Sequence, residues 1–264
     1  MTARTEGPHA PAPGRTPPRG GADTPLRAVL WDLDDTLFDY TGSDRAGVLR
    51  HLRTEGLLDT YGGEEAALAR WQHAMETEFA RFLAGELGFL DHRRARARTF
   101  LGLPLSDAEA DAWFGRYVAH YEACWELFPD ALPVLEALAP LVRQAVLSNS
   151  ATANQERKLA ALGIRGRFEA VLCADELGHA KPAAEAFAGA CKALGLTPAE
   201  VLYVGDKLDI DALGARDAGL AAVWLDRTDT GEEPPTGVRR IAGLAELPEL
   251  LRGVIGFGAP STIR

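Results

Sequence analysis

Cysteine is scarce in this chain: the 264 residues include three, Cys124, Cys173 and Cys191, too far apart to form a C-x-x-C pair. That argues against a disulfide framework and a cysteine-built zinc site, and a reducing, cytoplasmic setting is the simplest reading. No run approaches the roughly 20 apolar residues that span a bilayer. The N-terminal stretch lacks the apolar core of a secretory leader, so secretion is not expected. Positive charge is also short. A net charge of −10 argues against nucleic acid or an anionic membrane as the main partner. A local basic site for a small anion is still compatible with that balance. Lysine is rarer still, with four in the chain and none between 41 and 125.

What remains is ordinary for a globular protein of one or two domains, with 47% hydrophobic and 25% charged residues. Residues 1–25 are rich in Pro, Gly, Arg and Ala without periodicity, and read as a disordered tail. Residues 253–264 read as a C-terminal tail. From Leu26 onward short apolar runs alternate with helical stretches. The runs are RAVLWD (27–32), RQAVLS (143–148), EAVLC (169–173), EVLYVGD (200–206) and AAVWLD (221–226). They are continuous rather than alternating, as expected of parallel strands covered on both faces. Helices are predicted at 130–140, 153–162, 183–194 and 208–218, three of them closed by Gly163, Gly195 and Gly219. This βαβ alternation predicts an α/β fold with a doubly wound parallel sheet, its core formed by 26–40 and 126–252.

The rhythm breaks between 41 and 125, which has no strand-like run and predicts an all-helical insert of about 85 residues. Ser106-Asp107-Ala108-Glu109 is a capping-box pattern. Trp113, Tyr117, Tyr121 and Trp125 follow at a spacing of four, and core packing is the expected role of that stripe.

The chemistry concentrates at the strand ends. The first strand runs into WDLDDTLFDY (31–40), in which four of ten residues are carboxylates. On an extended chain Asp32 and Asp34 share a side, at the end of the sheet where α/β folds bind ligands. Two such charges repel unless a cation lies between them, and oxygen donors suit Mg²⁺. Taken alone, the pair reads equally as a cap for the next helix. A calcium loop is excluded, since its sixth and twelfth positions hold Leu37 and Ser43 rather than Gly and Glu. Three later strand ends add Ser148-Asn149, Lys181-Pro182 and Gly205-Asp206, with Asp209 and Asp211 just beyond. Each has a bland reading: a strand-to-helix turn, a solvated lysine before a helix-opening proline, a helix N-cap.

The order D-x-D-x-T, S-N, K-P, G-D-x-x-x-x-D at successive strand ends is similar to the four motifs of the haloacid dehalogenase (HAD) superfamily. The resemblance covers 26 to about 230, and the insert resembles that family's C1 cap. It implies that Asp32 is a nucleophile forming an aspartyl phosphate, and that Asp34 is the general acid and base. It implies Mg²⁺ held by the Asp32 carboxylate, the Asp34 backbone carbonyl and the Asp206 carboxylate. Asp211 would act through water or by orienting Lys181, which neutralises nucleophile and phosphate. Ser148 and Asn149 would hydrogen-bond the phosphoryl oxygens. Trp31, Lys207 and Ile210 depart from the family's commonest residues without touching the chemistry.

Within that family Asp34 and Asp206 favour phosphate chemistry over metal-free dehalogenation. The missing cap lysine argues against phosphonoacetaldehyde-type hydrolysis, and that lack together with Asp35 argues against phosphosugar mutation. The expected activity is Mg²⁺-dependent hydrolysis of a small phosphomonoester metabolite, such as a nucleotide, flavin precursor or sugar phosphate, by a monomer or homodimer. The alternatives are a 2-haloacid dehalogenase and a non-catalytic binding protein on the same scaffold. The expected substrate-contacting segment of the cap is GFLDHRRARAR (88–98), with Arg93 and Arg96 as substrate ligands and Arg94 and Arg98 beside them. A solvated basic helix face is the alternative for that segment. His92 is a further lining candidate, whereas Trp113 and Trp125 are assigned to the core.

Overall fold

The computed structural model describes residues 25–255. The expected N-terminal tail lies outside the described residues except for Pro25, and so does the C-terminal tail beyond Ile255.

Among the described residues six parallel strands form one sheet in the order β3-β2-β1-β4-β5-β6. They are β1 (Ala28–Trp31), β2 (Arg143–Ser148), β3 (Ala170–Cys173), β4 (Val201–Gly205), β5 (Ala221–Leu225) and β6 (Val238–Ile241). The first five are the apolar runs of the sequence. The sixth, VRRI, was not expected, because two arginines interrupt its apolar pattern. It is an edge strand, where one side of the ladder needs no cover.

Continuous apolar strands put alternate side chains on opposite faces. Val29 and Trp31 of β1 join one buried cluster, and Ala28 and Leu30 join another. Four helices of the insert come first in the chain: α1 (Tyr40–Thr54), α2 (Glu64–Leu83), α3 (Phe89–Leu101) and α4 (Asp107–Glu122). Next come α5 (Ala131–Leu138), α6 (Thr152–Ala161), the one-turn α7 (Ala174–Leu177) and α8 (Ala184–Leu194). The last two are α9 (Leu213–Asp217) and α10 (Leu247–Ile255). Helices α5, α6 and α10 cover the Val29–Trp31 face, through Leu135, Leu159 and Leu251 among others. Helices α8 and α9 cover the opposite face through Phe187, Ala190 and Ala215. Each fully buried leucine of this kind contributes about 1.5–3 kcal/mol.

Helix boundaries lie within a residue or two of expectation, with two exceptions. Pro182 does not open α8, which starts at Ala184; the Lys181–Pro182 peptide is cis and belongs to the preceding loop. The predicted helix 208–218 begins instead with a π-helical turn, Leu208–Ala212, before α9. The glycines expected to end helices at 163, 195 and 219 all have left-handed backbone.

Helices α1–α4 gather a third cluster of buried side chains around Trp71, Phe100 and Trp113. The capping box at Ser106 is formed, with reciprocal bonds to Glu109. The insert's two connections to the sheet are paired with each other. Asp39 N–H donates to Glu126 O (3.1 Å), Phe128 N–H donates to Leu37 O (3.0 Å), and Phe38 pairs antiparallel with Leu127.

Candidate active site

The C-terminal ends of β1, β2 and β4 and the loop after α7 converge on one point. Lys181 lies at its centre, buried, with Nζ donating to Asp32 Oδ1 (2.6 Å), Asp211 Oδ1 (2.8 Å) and Tyr203 Oη (2.8 Å). Thr36, four residues past Asp32 in the following turn, donates its hydroxyl to Asp32 Oδ2 at 3.1 Å. One carboxylate oxygen from each of Asp32, Asp206 and Asp211 lies within 4.8 Å of the others. Gly205 makes this approach possible, since a Cβ there would meet the Asp211 carboxyl carbon at 2.5 Å.

One lysine faces three acids, and the titration behaviour follows. Burial pulls the Lys181 ammonium down, but Asp32 and Asp211 together outweigh it and hold the lysine above its usual value. Burial pushes Asp32 up to about 6, with Lys181 pulling down and Asp211 pushing up. Asp206 goes to about 8 through burial and the charges of Asp32 and Asp211. Among the described residues no donor reaches its carboxylate, although Trp224 Nε1 holds its backbone carbonyl at 2.9 Å. Asp211 spends both oxygens on Lys181, Tyr203 and the Lys207 N–H, so it positions the lysine. Asp32 and Asp206 are left facing one another with too little positive charge between them. An all-oxygen donor set short of positive charge fits a hard divalent cation.

Asp34 is held from α6. Lys158 Nζ forms an ion pair with Asp34 Oδ1, and Gln155 Nε2 donates to Asp34 Oδ2 (2.7 Å) and to Ser148 Oγ (2.8 Å). Asp35 has left-handed backbone (φ 63°) and accepts from the Thr41 N–H and hydroxyl, which turns the chain into α1. Asn149 has a different task from the expected bond to a phosphoryl oxygen. Its amide bonds the backbone of Lys181 in both directions, at 2.8 and 2.7 Å, and clamps the lysine loop to the end of β2. Asp209 and Lys207 are exposed, outside the cluster.

A cleft of about 220 Å³ opens between the sheet and the insert. From the sheet side Asp34, Ser150, Asn154, Arg157 and Lys158 line it, and from the insert Tyr40, Phe89, His92, Arg93, Arg96 and Tyr121. The arginines of α3 divide by helical face. Arg94 is tied to Asp91, Asp107 and Asp111, and Arg98 to Asp107 and the Leu105 carbonyl, so these two join α3 to α4. The aromatic stripe also divides. Trp113 and Tyr117 lie in the insert's core, and Tyr121 and Trp125 pack, partly buried, against the sheet's core. Tyr117, Tyr121 and Trp125 also line the cleft. The helix ends at Glu122, so Trp125 leaves the helical face and packs edge-on to the buried Phe38 (6.2 Å).

The profile of the haloacid dehalogenase-like hydrolases matches residues 26–219. The chain belongs to that family. Relatives include the phosphoserine phosphatase of Thermus thermophilus, 31% identical over 79% of this chain and 92% of its own. Another is the human N-acylneuraminate-9-phosphatase, 27% identical over 87% of this chain and 95% of its own. Among solved structures, the L-2-haloacid dehalogenase of Xanthobacter autotrophicus superposes with a TM-score of 0.65 at 25% identity, covering 86% of this chain and 99% of its own.

Three residues of this hydrolase's site escaped the sequence reading: Gln155, Lys158 and Tyr203. Lys158 carried a signal, since it is one of only four lysines and lies ten residues past Ser148 on the following helix. Tyr203 carried another: a tyrosine inside an otherwise aliphatic buried strand needs a partner for its hydroxyl. Gln155 carried none.

Proposed function

We propose that the protein is a Mg²⁺-dependent phosphatase acting on a small phosphorylated metabolite through an aspartyl-phosphate intermediate. The observation that carries this reading is the Asp32 carboxylate. Lys181 holds one of its oxygens and Thr36 the other, and it lies against Asp206 in a pocket short of positive charge. The phosphatase names of the relatives support it. The Asp32 and Asp206 carboxylates and the Asp34 backbone carbonyl would hold the metal. When bound, the metal supplies positive charge that draws the phosphoryl group in and favours ionised Asp32.

The chain's own groups do the rest. An Asp32 oxygen attacks phosphorus, the bond to the ester oxygen breaks, and Asp34 gives that oxygen a proton. Water then attacks the phosphoryl group, Asp34 takes its proton, and the Asp32–phosphorus bond breaks to release phosphate. Gln155 and Lys158 keep the Asp34 carboxylate aimed, Lys181 offsets charge on nucleophile and phosphate, and Ser148 offers its hydroxyl to a phosphoryl oxygen. The insert acts as a cap over the site, with Arg93 and Arg96 toward the substrate. The chain's three free cysteines support a cytoplasmic setting.

A dehalogenase reading has the Xanthobacter neighbour in its favour. It leaves unexplained why Asp34 is bonded from two sides and why Asp206 is brought against Asp32, since attack on carbon needs neither. The test is hydrolysis of p-nitrophenyl phosphate by the wild type with Mg²⁺ and with EDTA, and by Asp32→Asn. Turnover is expected with Mg²⁺ alone, and loss of roughly 10⁴-fold or more in Asp32→Asn. Metal-free halide release from a 2-haloacid without phosphate release would reverse the assignment.

A further inference from the structure

The cleft beside Asp34 contains four cations, Arg93, Arg96, Arg157 and Lys158, and two carboxylates, Asp34 and Glu122. Lys158 is paired with Asp34, and Arg157 with Glu122 at 2.9 Å. Both acids therefore have an ion-pair partner. Arg93 and Arg96 are left without a salt-bridge partner among the described residues. Arg96 is only 7% exposed, and its Nε and Nη2 have no hydrogen-bond acceptor. Its guanidinium lies over Trp71 (4.7 Å) and Phe114 (5.3 Å), and that of Arg93 over Phe114 (4.7 Å). Asp44, an acid buried in the same bundle, accepts from Trp71 Nε1 (2.9 Å) and the Tyr117 hydroxyl, so both its oxygens are taken.

A buried cation with no ion-pair partner is costly, and aromatic faces offset only part of that cost. The acids that α4 brings to α3, Asp107 and Asp111, pair instead with Arg94 and Arg98 at the opposite face. What remains is a pair of guanidinium forks on an aromatic floor, without ion-pair partners, lining the cleft. Such forks match carboxylate and phosphate geometry. Asp34, which protonates the leaving oxygen, lines this cleft, so the leaving portion of a substrate extends into it.

We propose that Arg96, with Arg93, forms a subsite for a second anionic group, a carboxylate or a further phosphate, at the far end of the phosphomonoester. The inference rests on the phosphatase reading and narrows its substrate class.

Matched pairs of substrates test it: phosphoserine against phosphoethanolamine, phosphogluconate against glucitol phosphate, and fructose bisphosphate against fructose monophosphate. The charged member of a pair that spans the cleft is expected to have a kcat/KM higher by ~30-fold or more, and Arg96→Gln to collapse that ratio mainly through KM. Preference in the carboxylate pairs assigns a carboxylate, and preference in the bisphosphate pair a phosphate; both support the subsite. Equal rates within every pair, or a preference that survives in Arg96→Gln, would overturn it while p-nitrophenyl phosphate turnover keeps the phosphatase reading intact. No turnover of any ester would overturn both. If Arg96→Gln does not fold, Arg93→Gln carries the same comparison.

Discussion

The two charged regions of this molecule are mirror images in sign. At the strand ends three acids share one lysine, and the result is excess negative charge around Asp206. In the cleft the acids are already paired, and the excess is positive, on Arg93 and Arg96. The neighbouring face of α3 behaves otherwise: the α3–α4 network of Arg94 and Arg98 satisfies its charges locally. The two unbalanced places adjoin. Asp34 belongs to both, since it stands at the end of β1 and lines the cleft.

That contrast can be broken most severely at Asp34. Asp34→Asn is expected to cut turnover roughly 10²–10⁴-fold with the fold intact, as loss of a general acid does; stopped assays alongside circular dichroism would show it. Next comes the group that holds Asp34. Lys158→Met should lower kcat about 10–100-fold, as losing a group that orients a site residue does. Lys158→Arg should recover part of that, a rescue that a purely structural role would not produce.

A smaller effect sharpens the acidic side. Asp206 is held above its ordinary value, so it binds its proton more tightly folded than unfolded. The stability this gives is complete below its ordinary value near 3.8 and is lost as pH rises toward about 8. Added Mg²⁺ competes with that proton, so its stabilising shift in Tm should be larger at about pH 8 than at about pH 5. A shift independent of pH would place the ion elsewhere. Smallest of all, Arg94→Ala should leave the urea-unfolding midpoint nearly unchanged, because its partners are exposed.

The sequence made the sheet legible because five of its strands are continuous apolar runs, and β6 escaped because its arginines broke the pattern. It also exposed the acidic cluster, since aspartates recurring at the ends of apolar runs have few structural uses. What it could not supply was allocation. RRARAR does not say which arginines α4 will neutralise; that depends on where Asp107 and Asp111 fall across a helix pair. Nor does S-N reveal that the asparagine side chain will be spent on the Lys181 backbone, a partner 32 positions away. Local pattern fixes what a residue can do, and long-range packing fixes which of its options is used.

The two segments joining insert and sheet are bonded to each other through Phe38 and Leu127. Two separate tethers would let the bundle slide, tip and twist. A laced pair behaves as a single pin, which leaves rotation about one axis as the low-cost displacement. A swing of the arginine-bearing helix would then pull on the short stretch that follows Asp32, coupling the position of the bundle to the geometry beside that carboxylate.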